Sequence, residues 1–353
     1  MNYFFRKKGI DFSSIFSASY ILLVSFLAIF ASYIIPDKTE NANQMLLAVH
    51  SQPPGFKTWI LNKPLIQNSL STDNKLKEIG YELLPIKEYY FQEETLSFYP
   101  FGSSSKKDSI PLHNFPTSDP KHIEENFLVK KKYYLGTDLY GRDLLSRLIL
   151  GARISLGIGL IAVFISLLVG VLFGAIAGYF GGRIDRLIVA LINVVWAIPT
   201  LLLVIAIVLA LGRGFWQVFL AVGLSMWVEV ARVVRGQVKA TKEKLYIQAV
   251  KVLGFSDFRI LVKHILPTVI SSLIVISAAN FASAILMESG LSFLGIGAQP
   301  PVPSWGGMVK DHFRYLLLGK AYLALLPGAA IMLLVLSFML LGNNLRDHLD
   351  VRN

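Results

Sequence analysis

Ionisable and amide side chains inside long apolar stretches are the first candidates for chemistry in this sequence. Three stand out, namely Glu229, Asn280 and Glu288. Burying a polar group in such surroundings is costly, so each is a functional candidate by default. Glu288 either lines a polar path or gate, or is a helix-end carboxylate satisfied by Ser289 or by the backbone. Asn280 faces such a path or bonds a neighbouring helix, and Glu229 is expected to pair with Arg232 on one helix face.

The sequence has neither the histidine spacing of a metal site nor a phosphate-binding loop, so it gives no sign of catalysis. No metal site is expected, because the histidines lie in loops or at the edges of apolar stretches. Gly319 and Lys320 are followed by Ala321, and no G-x-x-x-x-G-K-[ST] loop occurs, so the chain is not expected to bind ATP. The sequence contains no cysteine, which excludes thiol catalysis and disulfides. We therefore predict no enzyme and no cofactor on this chain. The six histidines are His50, His113, His122, His264, His312 and His348.

The apolar stretches have the length of helices that cross a bilayer. Hydrophobic residues make up 54% of the chain and charged residues 16%, and the mean hydropathy is +0.55. A span needs about 20 apolar residues, and uniform runs of this length exclude the alternating strands of a barrel. The sequence predicts an all-α polytopic membrane protein with six transmembrane helices, the third kinked at Pro199. The stretches are 12–36, 154–182, 187–212, 214–231, 265–287 and 321–345.

The net charge of +11 is distributed beside these spans. Basic residues cluster before the first span, between the second and third, between the fourth and fifth, and after the sixth, whereas the opposite side has only Arg213 in its shortest loop. Positive residues favour the cytoplasmic side of a membrane, so both termini are expected in the cytoplasm. The charge then sets orientation in membrane lipid, and no nucleic-acid partner is expected.

Three regions follow from this topology. Residues 1–36 form the cytoplasmic amino terminus and first helix, 37–132 form an insert outside the cytoplasm, and 133–353 form a core with helices two to six. Aromatic and aliphatic residues spread through the insert predict a small folded cap. The stretch 135–155 is expected to be an interfacial helix capped by Thr137 or Asp138. Its arginines, Arg142, Arg147 and Arg153, are expected on the wetter face.

The loop between the fourth and fifth spans, about 236–267, has two short helical patterns. Leu245 and Ala249 belong to the first pattern, and Gly254 follows as a stop. A second pattern leads into the fifth span, whose first turn Pro267 suits. Two short amphipathic helices are therefore predicted at the cytoplasmic surface. From the pattern alone, plain packing at the interface and docking of a partner are equally open.

Four separated stretches of this sequence resemble an importer family. They are, in order, LGTDLYGRDLLSRLILGARISL, GYFGGRIDRLIVALINVVWAIPTLLL, YIQAVKVLGFSDFRILVKHILP and ESGLSFLGIGAQPPVPSWGGMV. They are similar to the C-type permease of ABC importers for oligopeptides, dipeptides and nickel, which are binding-protein-dependent transport systems of the inner membrane. The resemblance implies the type I ABC importer permease fold and half of a translocation pathway for peptides.

The resemblance also implies partners. These are a B-type permease as the other half of a heterodimer, two ATPase subunits that bind ATP at the cytoplasmic face, and an extracytoplasmic substrate-binding protein. The loop 236–267 would supply the coupling helices that dock on the ATPases, and Asn280 and Glu288 are expected along the path. The docking residues would be Tyr246, Gln248, Ala249, Val250, Gly254, Asp257, Arg259, His264 and Pro267.

The sequence departs from the family pattern at four positions, two in the loop and two in the third span. Gln248 replaces the usual Glu, which removes the charge for a salt bridge to an ATPase, and Val250 replaces a frequent Ala. Ala190 and Asn193 replace an Arg and Asp three residues apart. The loss of both charges together is chemically consistent, because the loss of only one would leave the other charge buried and unpaired.

An ion-coupled secondary transporter is the alternative function. Such a carrier predicts charged residues at the membrane midplane or broken helices in two related halves, and the sequence shows neither. The two short helices predicted in the loop would also have no role in such a carrier. The sequence does not identify the cargo.

Overall fold

The computed structural model describes residues 12–65, 80–102, 107–212 and 214–350, and of residues 215 and 347–350 only the backbone. Arg213 and the basic residues at 6–8 and 352, used above for orientation, lie outside this part of the chain. Two compact units are present. The helical unit comprises Met1–Ile34, Leu148–Phe313 and Ala324–Asn353, and the sheet unit comprises Ile35–Arg147 and Arg314–Leu323.

Most of the described chain is helical. In chain order the helices are α1 Phe12–Ile29, α2 Ala31–Ile34, α3 Pro120–Phe127, α4 Leu144–Phe180, α5 Gly182–Ala197, α6 Thr200–Leu211, α7 Phe215–Lys242, α8 Leu245–Val252, α9 Asp257–Ile260, α10 Leu266–Phe293, α11 Trp305–His312 and α12 Tyr322–Asp350. Five stretches, in α1, α4, α7, α9 to α10, and α12, are long and apolar enough to cross a membrane. A sixth span results if α5 and α6 are counted together, which agrees with the predicted number.

The third predicted span is broken rather than kinked. The axes of α5 and α6 differ by 93° across the short break at Pro199. Proline lacks an N–H and disfavours the α conformation at the residue before it. Accordingly Ile198 has extended dihedrals (φ −88°, ψ 127°), so α5 ends at Ala197 and α6 begins at Thr200.

Three glycines spaced four residues apart bring α4 against α7. A Cβ at Gly174 would lie 2.5 Å from the carbonyl oxygen of Ala231. The same atom at Gly170 or Gly178 would lie 2.7 Å from another backbone oxygen of α7. Small residues at this spacing allow helix backbones to approach closely in membranes.

We therefore expect Gly174→Val to force α4 and α7 apart. Overpacking of this kind costs about 1–3 kcal/mol, and thermal unfolding of the purified protein in detergent should show a lower midpoint. Gly157→Val on the same helix is the control, because a Cβ there meets no atom within 4 Å. Equal midpoints for both variants would contradict the packing role of Gly174.

The sheet unit contains the predicted insert as a folded structure. Its strands are β1 Phe56–Pro64, β2 Tyr81–Gln92, β3 Thr95–Pro100, β4 Asp108–Pro111 and β5 Leu128–Tyr133. Neighbouring strands pair antiparallel in the order β4-β3-β2-β1-β5. Alternate residues such as Leu96 and Phe98 point into a core, to which α3 adds Ile123 and Phe127.

The stretch before α4 is a turn, not the helix predicted from residue 135. Gly136 (φ 83°) and Gly141 (φ 73°) have left-handed dihedrals that a right-handed helix does not contain. Thr137 and Asp138 therefore do not cap a helix. Asp143 accepts the backbone N–H of Ser146 at 2.9 Å, at the start of α4.

Two of the three arginines predicted to face water are buried. The Nε atom of Arg142 lies 2.5 Å from Oδ2 of Asp138, and Nε of Arg147 lies 3.7 Å from the same oxygen. Asp138 also accepts the backbone N–H groups of Tyr140 and Arg142. Burial is tolerated because both guanidinium groups are directed at the Asp138 carboxylate, and they have further acceptors in Oδ1 of Asn43 and the carbonyl of Asn41. Only Arg153 is exposed, and it donates to the carbonyl of Ala28 at 3.0 Å.

Candidate functional site

The candidate site is the elbow, residues 243–265, which joins α7 to α10. Its first element, α8, ends at Val252, and Gly254 follows with a φ of +81°, which is left-handed and suits glycine. The Gly254 N–H donates to the carbonyl of Lys251 at 3.0 Å and closes the last turn. The chain then reverses and enters α9 at Asp257.

The second helix predicted for this loop is not separate from the fifth span. The chain continues from α9 through a π-helical turn, Leu261–Ile265, into α10 without a break. Proline interrupts the regular hydrogen bonds of a helix, and the wider turn lies directly before Pro267, the second residue of α10. The segment between α7 and α9 is therefore only 243–256, shorter than the predicted 236–267.

One face of the elbow is fixed to the bundle. Ile247 of α8 and Ile260 of α9 are buried in a core with Val234 and Val238 of α7. Val250 and Phe255 pack against this core from its edge. Movement of the elbow must therefore be transmitted to α7 and α10.

Polar contacts tie the elbow to the end of α4. The Tyr179 hydroxyl donates to Asp257 Oδ1 at 2.6 Å. The Lys242 ammonium donates to the Tyr179 carbonyl at 2.7 Å and lies over the tyrosine ring. Asp257, predicted as a docking residue, thus also fixes the start of α9.

The opposite face of the elbow is apolar and exposed. Leu245 is 84% exposed, Val252 88%, Leu253 74% and Phe258 76%. Large apolar side chains grouped in this way mark a binding surface for protein or membrane. The same segment has four exposed cations, Lys244, Lys251, Arg259 and Lys263.

The remaining docking candidates occupy both faces. Tyr246, Gln248 and Ala249 are exposed on α8, and Gln248 donates to the carbonyl of Glu243 at 3.2 Å. Arg259 lies over the ring of Phe255 at 4.7 Å. The His264 ring is half-buried and contacts the same phenylalanine edge-on at 6.0 Å.

The two path candidates on α10 are buried among helices. Glu288 accepts the Ser292 hydroxyl at 2.6 Å, whereas the Ser289 hydroxyl bonds the carbonyl of Ile285 instead. Of the partners expected for a helix-end carboxylate, Ser289 is therefore not the one that Glu288 uses, and Glu288 is buried five residues before the end of α10. Asn280 is buried, and its Nδ2 has no hydrogen-bond partner within the described chain.

Arg232 does not make the predicted pair with Glu229. Its guanidinium carbon lies 3.8 Å from the centre of the Trp196 ring, and Nη2 donates to Asn193 Oδ1 at 3.1 Å. Asn193 thus serves as an acceptor for a cation on α7. Sequence reasoning missed this contact because the residues are 39 positions apart and no local pattern links them.

Comparison with known proteins identifies relatives of this chain. The family described as "Binding-protein-dependent transport system inner membrane component" matches residues 170–352. The glutathione transport system permease protein GsiD of Pectobacterium atrosepticum is 40% identical over 218 residues, which are 62% of this chain and 72% of the relative. The dipeptide transport system permease protein DppC of Bacillus subtilis is 40% identical over 227 residues, covering 64% and 71%.

A solved structure is also similar to this chain. It is that of the MetNI methionine ABC transporter in an inward-facing conformation, with 16% identity and a TM-score of 0.48. The match covers 58% of this chain and 97% of the other.

Proposed function

Because this chain belongs to the family of binding-protein-dependent transport system inner membrane components, we propose that it is the permease subunit that forms half of a peptide pathway in an ATP-driven importer. The fold is that of type I ABC importer permeases, and the protein is a multi-pass component of the inner membrane. Such permeases work with ATPase and substrate-binding partners. The family assignment also replaces the alternative of an ion-coupled carrier.

The exposed apolar face of the elbow supports the proposal that the ATPases act on the bundle through this segment. Leu245, Val252 and Phe258 would be covered when an ATPase docks there, while Ile247 and Ile260 keep the opposite face on the bundle. ATP binds on the two partner ATPases, and this chain needs no cofactor and no catalytic site. The elbow then faces the cytoplasm, as do both termini.

The cargo class follows from the relatives, which are named for glutathione and dipeptide transport. Both cargoes are short peptides, so we assign short peptides to this pathway. The other half would be a B-type permease in a heterodimer. The insert 37–132 would lie outside the cytoplasm, on the side where the binding protein delivers cargo.

Uptake into vesicles tests the function. The assembled complex, reconstituted with its binding protein, should accumulate a labelled dipeptide or tripeptide only when ATP is present on the ATPase side. An ion gradient without ATP should drive no accumulation. Accumulation by the gradient alone would overturn the assignment.

Site-directed cross-linking tests the docking face. The chain has no cysteine of its own, so Val252→Cys introduces a single thiol on an 88% exposed side chain. We expect a short bifunctional reagent to join it to an ATPase subunit. Leu317→Cys, at a 93% exposed site on the opposite predicted side, is the matched control and should capture none. Capture by Leu317→Cys and not by Val252→Cys would reverse the proposed orientation.

A further inference from the structure

A cavity of about 240 Å³ lies at the break between α5 and α6. Pockets for drug-sized ligands have about 300–1,000 Å³, so this one suits one end of a longer molecule. Helices α7 and α10 complete its wall. The residues that matter for its chemistry are Trp196, Thr200, Ser225, Glu229, Ser283 and Met287.

Glu229 is the ionisable group in this wall. It is exposed, and it makes no hydrogen bond or ion pair with any residue that the structure describes. The nearby cation on α7, Arg232, keeps its charge but directs its guanidinium group to the ring of Trp196 and to Asn193, not to Glu229. At 1.5 Å per residue, Glu229 lies about 21 Å along α7 from its start at Phe215, two residues before the end of the apolar stretch 214–231. An ionisable group inside an apolar stretch is a functional candidate, and its natural partner is a cation.

The broken helix adds to the negative charge of this cavity. The carboxyl-terminal end of α5, at Val195 and Trp196, lines it. The last carbonyl groups of a helix lack partners within that helix, and its dipole places partial negative charge there. The Val195 carbonyl already accepts the N–H of Ile198 at 3.3 Å and retains a second lone pair. This oxygen, the Trp196 carbonyl and the hydroxyls of Thr200, Ser225 and Ser283 can accept hydrogen bonds from an ammonium group. The cavity therefore favours a compact cation with several N–H donors.

We propose that this cavity binds the α-ammonium group of a peptide during translocation, with Glu229 as its charge partner. The inference rests on the proposed function, since it requires peptide cargo. Trp196 and Met287 supply apolar surface for the first side chain, and the remainder of the peptide extends out of the cavity. Every unmodified peptide has this ammonium group, so such a site accepts many sequences.

The test compares one peptide with a free amino terminus and its N-acetylated form. Uptake of both is measured with the reconstituted complex carrying Glu229→Gln, Glu229→Asp or no change. We expect Glu229→Gln to slow uptake of the free peptide about tenfold, equivalent to about 1.4 kcal/mol, and to leave the acetylated peptide within about twofold. Glu229→Asp should retain most of the uptake, and Asp311→Asn, an exposed carboxylate on α11, should change neither rate.

Each rate is divided by the unmodified complex's rate for the same peptide, so the preference of the binding protein cancels. If the binding protein does not deliver the acetylated peptide, equilibrium binding of both labelled peptides to the complex without binding protein is measured instead. It gives the same comparison between the variants. An equal fall for both peptides would assign Glu229 to assembly, and no fall for either would leave the cavity without this role. Either result overturns the inference while peptide import stands. If the unmodified complex imports no peptide with ATP, the proposed function itself fails.

Discussion

We expect Gly254→Val to separate ATP hydrolysis from transport, with uptake at least about tenfold lower while hydrolysis continues. Gly254 has a φ of +81°, and a Cβ there meets no atom within 4 Å, so the cost is in the backbone and not in crowding. A left-handed residue with a Cβ costs about 1–2 kcal/mol, and β-branching makes the conformation rarer still. The chain relieves this cost by leaving the left-handed region, which turns α8 away from α9. The exposed face proposed to meet the ATPase is then no longer continuous.

Two controls separate this effect from general damage. Gly254→Asn should retain most uptake, because asparagine tolerates the left-handed region. Gly319→Val places the same side chain at another open glycine with a φ of +72°, outside the elbow. Uptake and ATP hydrolysis are measured on the same vesicles at matched protein abundance. Normal uptake by Gly254→Val would count against the role of the elbow.

Asp138→Ala is expected to destabilise the sheet unit by about 3–5 kcal/mol, the usual cost of leaving a buried charge without its partner. Asp138 is fully buried, and both Arg142 and Arg147 point their guanidinium groups at it. Alanine also removes the acceptor for the N–H groups of Tyr140 and Arg142. Thermal unfolding and protease resistance of the purified protein measure the loss.

Asp108→Ala is the matched control for this change. Asp108 is an exposed carboxylate on β4 of the same unit, so its removal should alter the midpoint little. The triple change Asp138→Ala, Arg142→Met and Arg147→Met removes the charges together and should recover part of the stability. If Asp138→Ala had the same unfolding midpoint as the unmodified protein, the contacts of Asp138 with Arg142 and Arg147 would contribute nothing to stability.

Much of the helical bundle could be predicted from the sequence, because hydropathy and length alone identify a span. The break at Pro199 was underestimated, since proline predicts an interruption but not its angle. The angle depends on what packs around α6, including Val204 and Val208 in a core with α7. Likewise the continuity of α9 with α10 was missed, because the amphipathic pattern of 256–265 is the same for a separate helix and for an extended one.

The burial of Arg142 and Arg147 was less accessible to prediction. An arginine beside an apolar stripe usually faces water, and only tertiary structure shows that Asp138 lies within reach of both. The glycines at 136 and 141 were the available signal, because left-handed glycines end helices. In the elbow, the sequence predicted which residues lie on α8 but not that Tyr179, 78 positions away, holds Asp257.

The uninterrupted run from Asp257 to Phe293 has a mechanical consequence. Its 37 residues give a rod about 55 Å long at 1.5 Å per residue. A rigid tilt of about 5° would displace one tip relative to the other by roughly 5 Å, comparable to one helical turn. A push that tilts the rod at its Asp257 tip would thus also displace Glu288 and Ser292, near the end that packs against α11. The π-helical turn Leu261–Ile265, near the Asp257 end, is the point at which this rod would bend first.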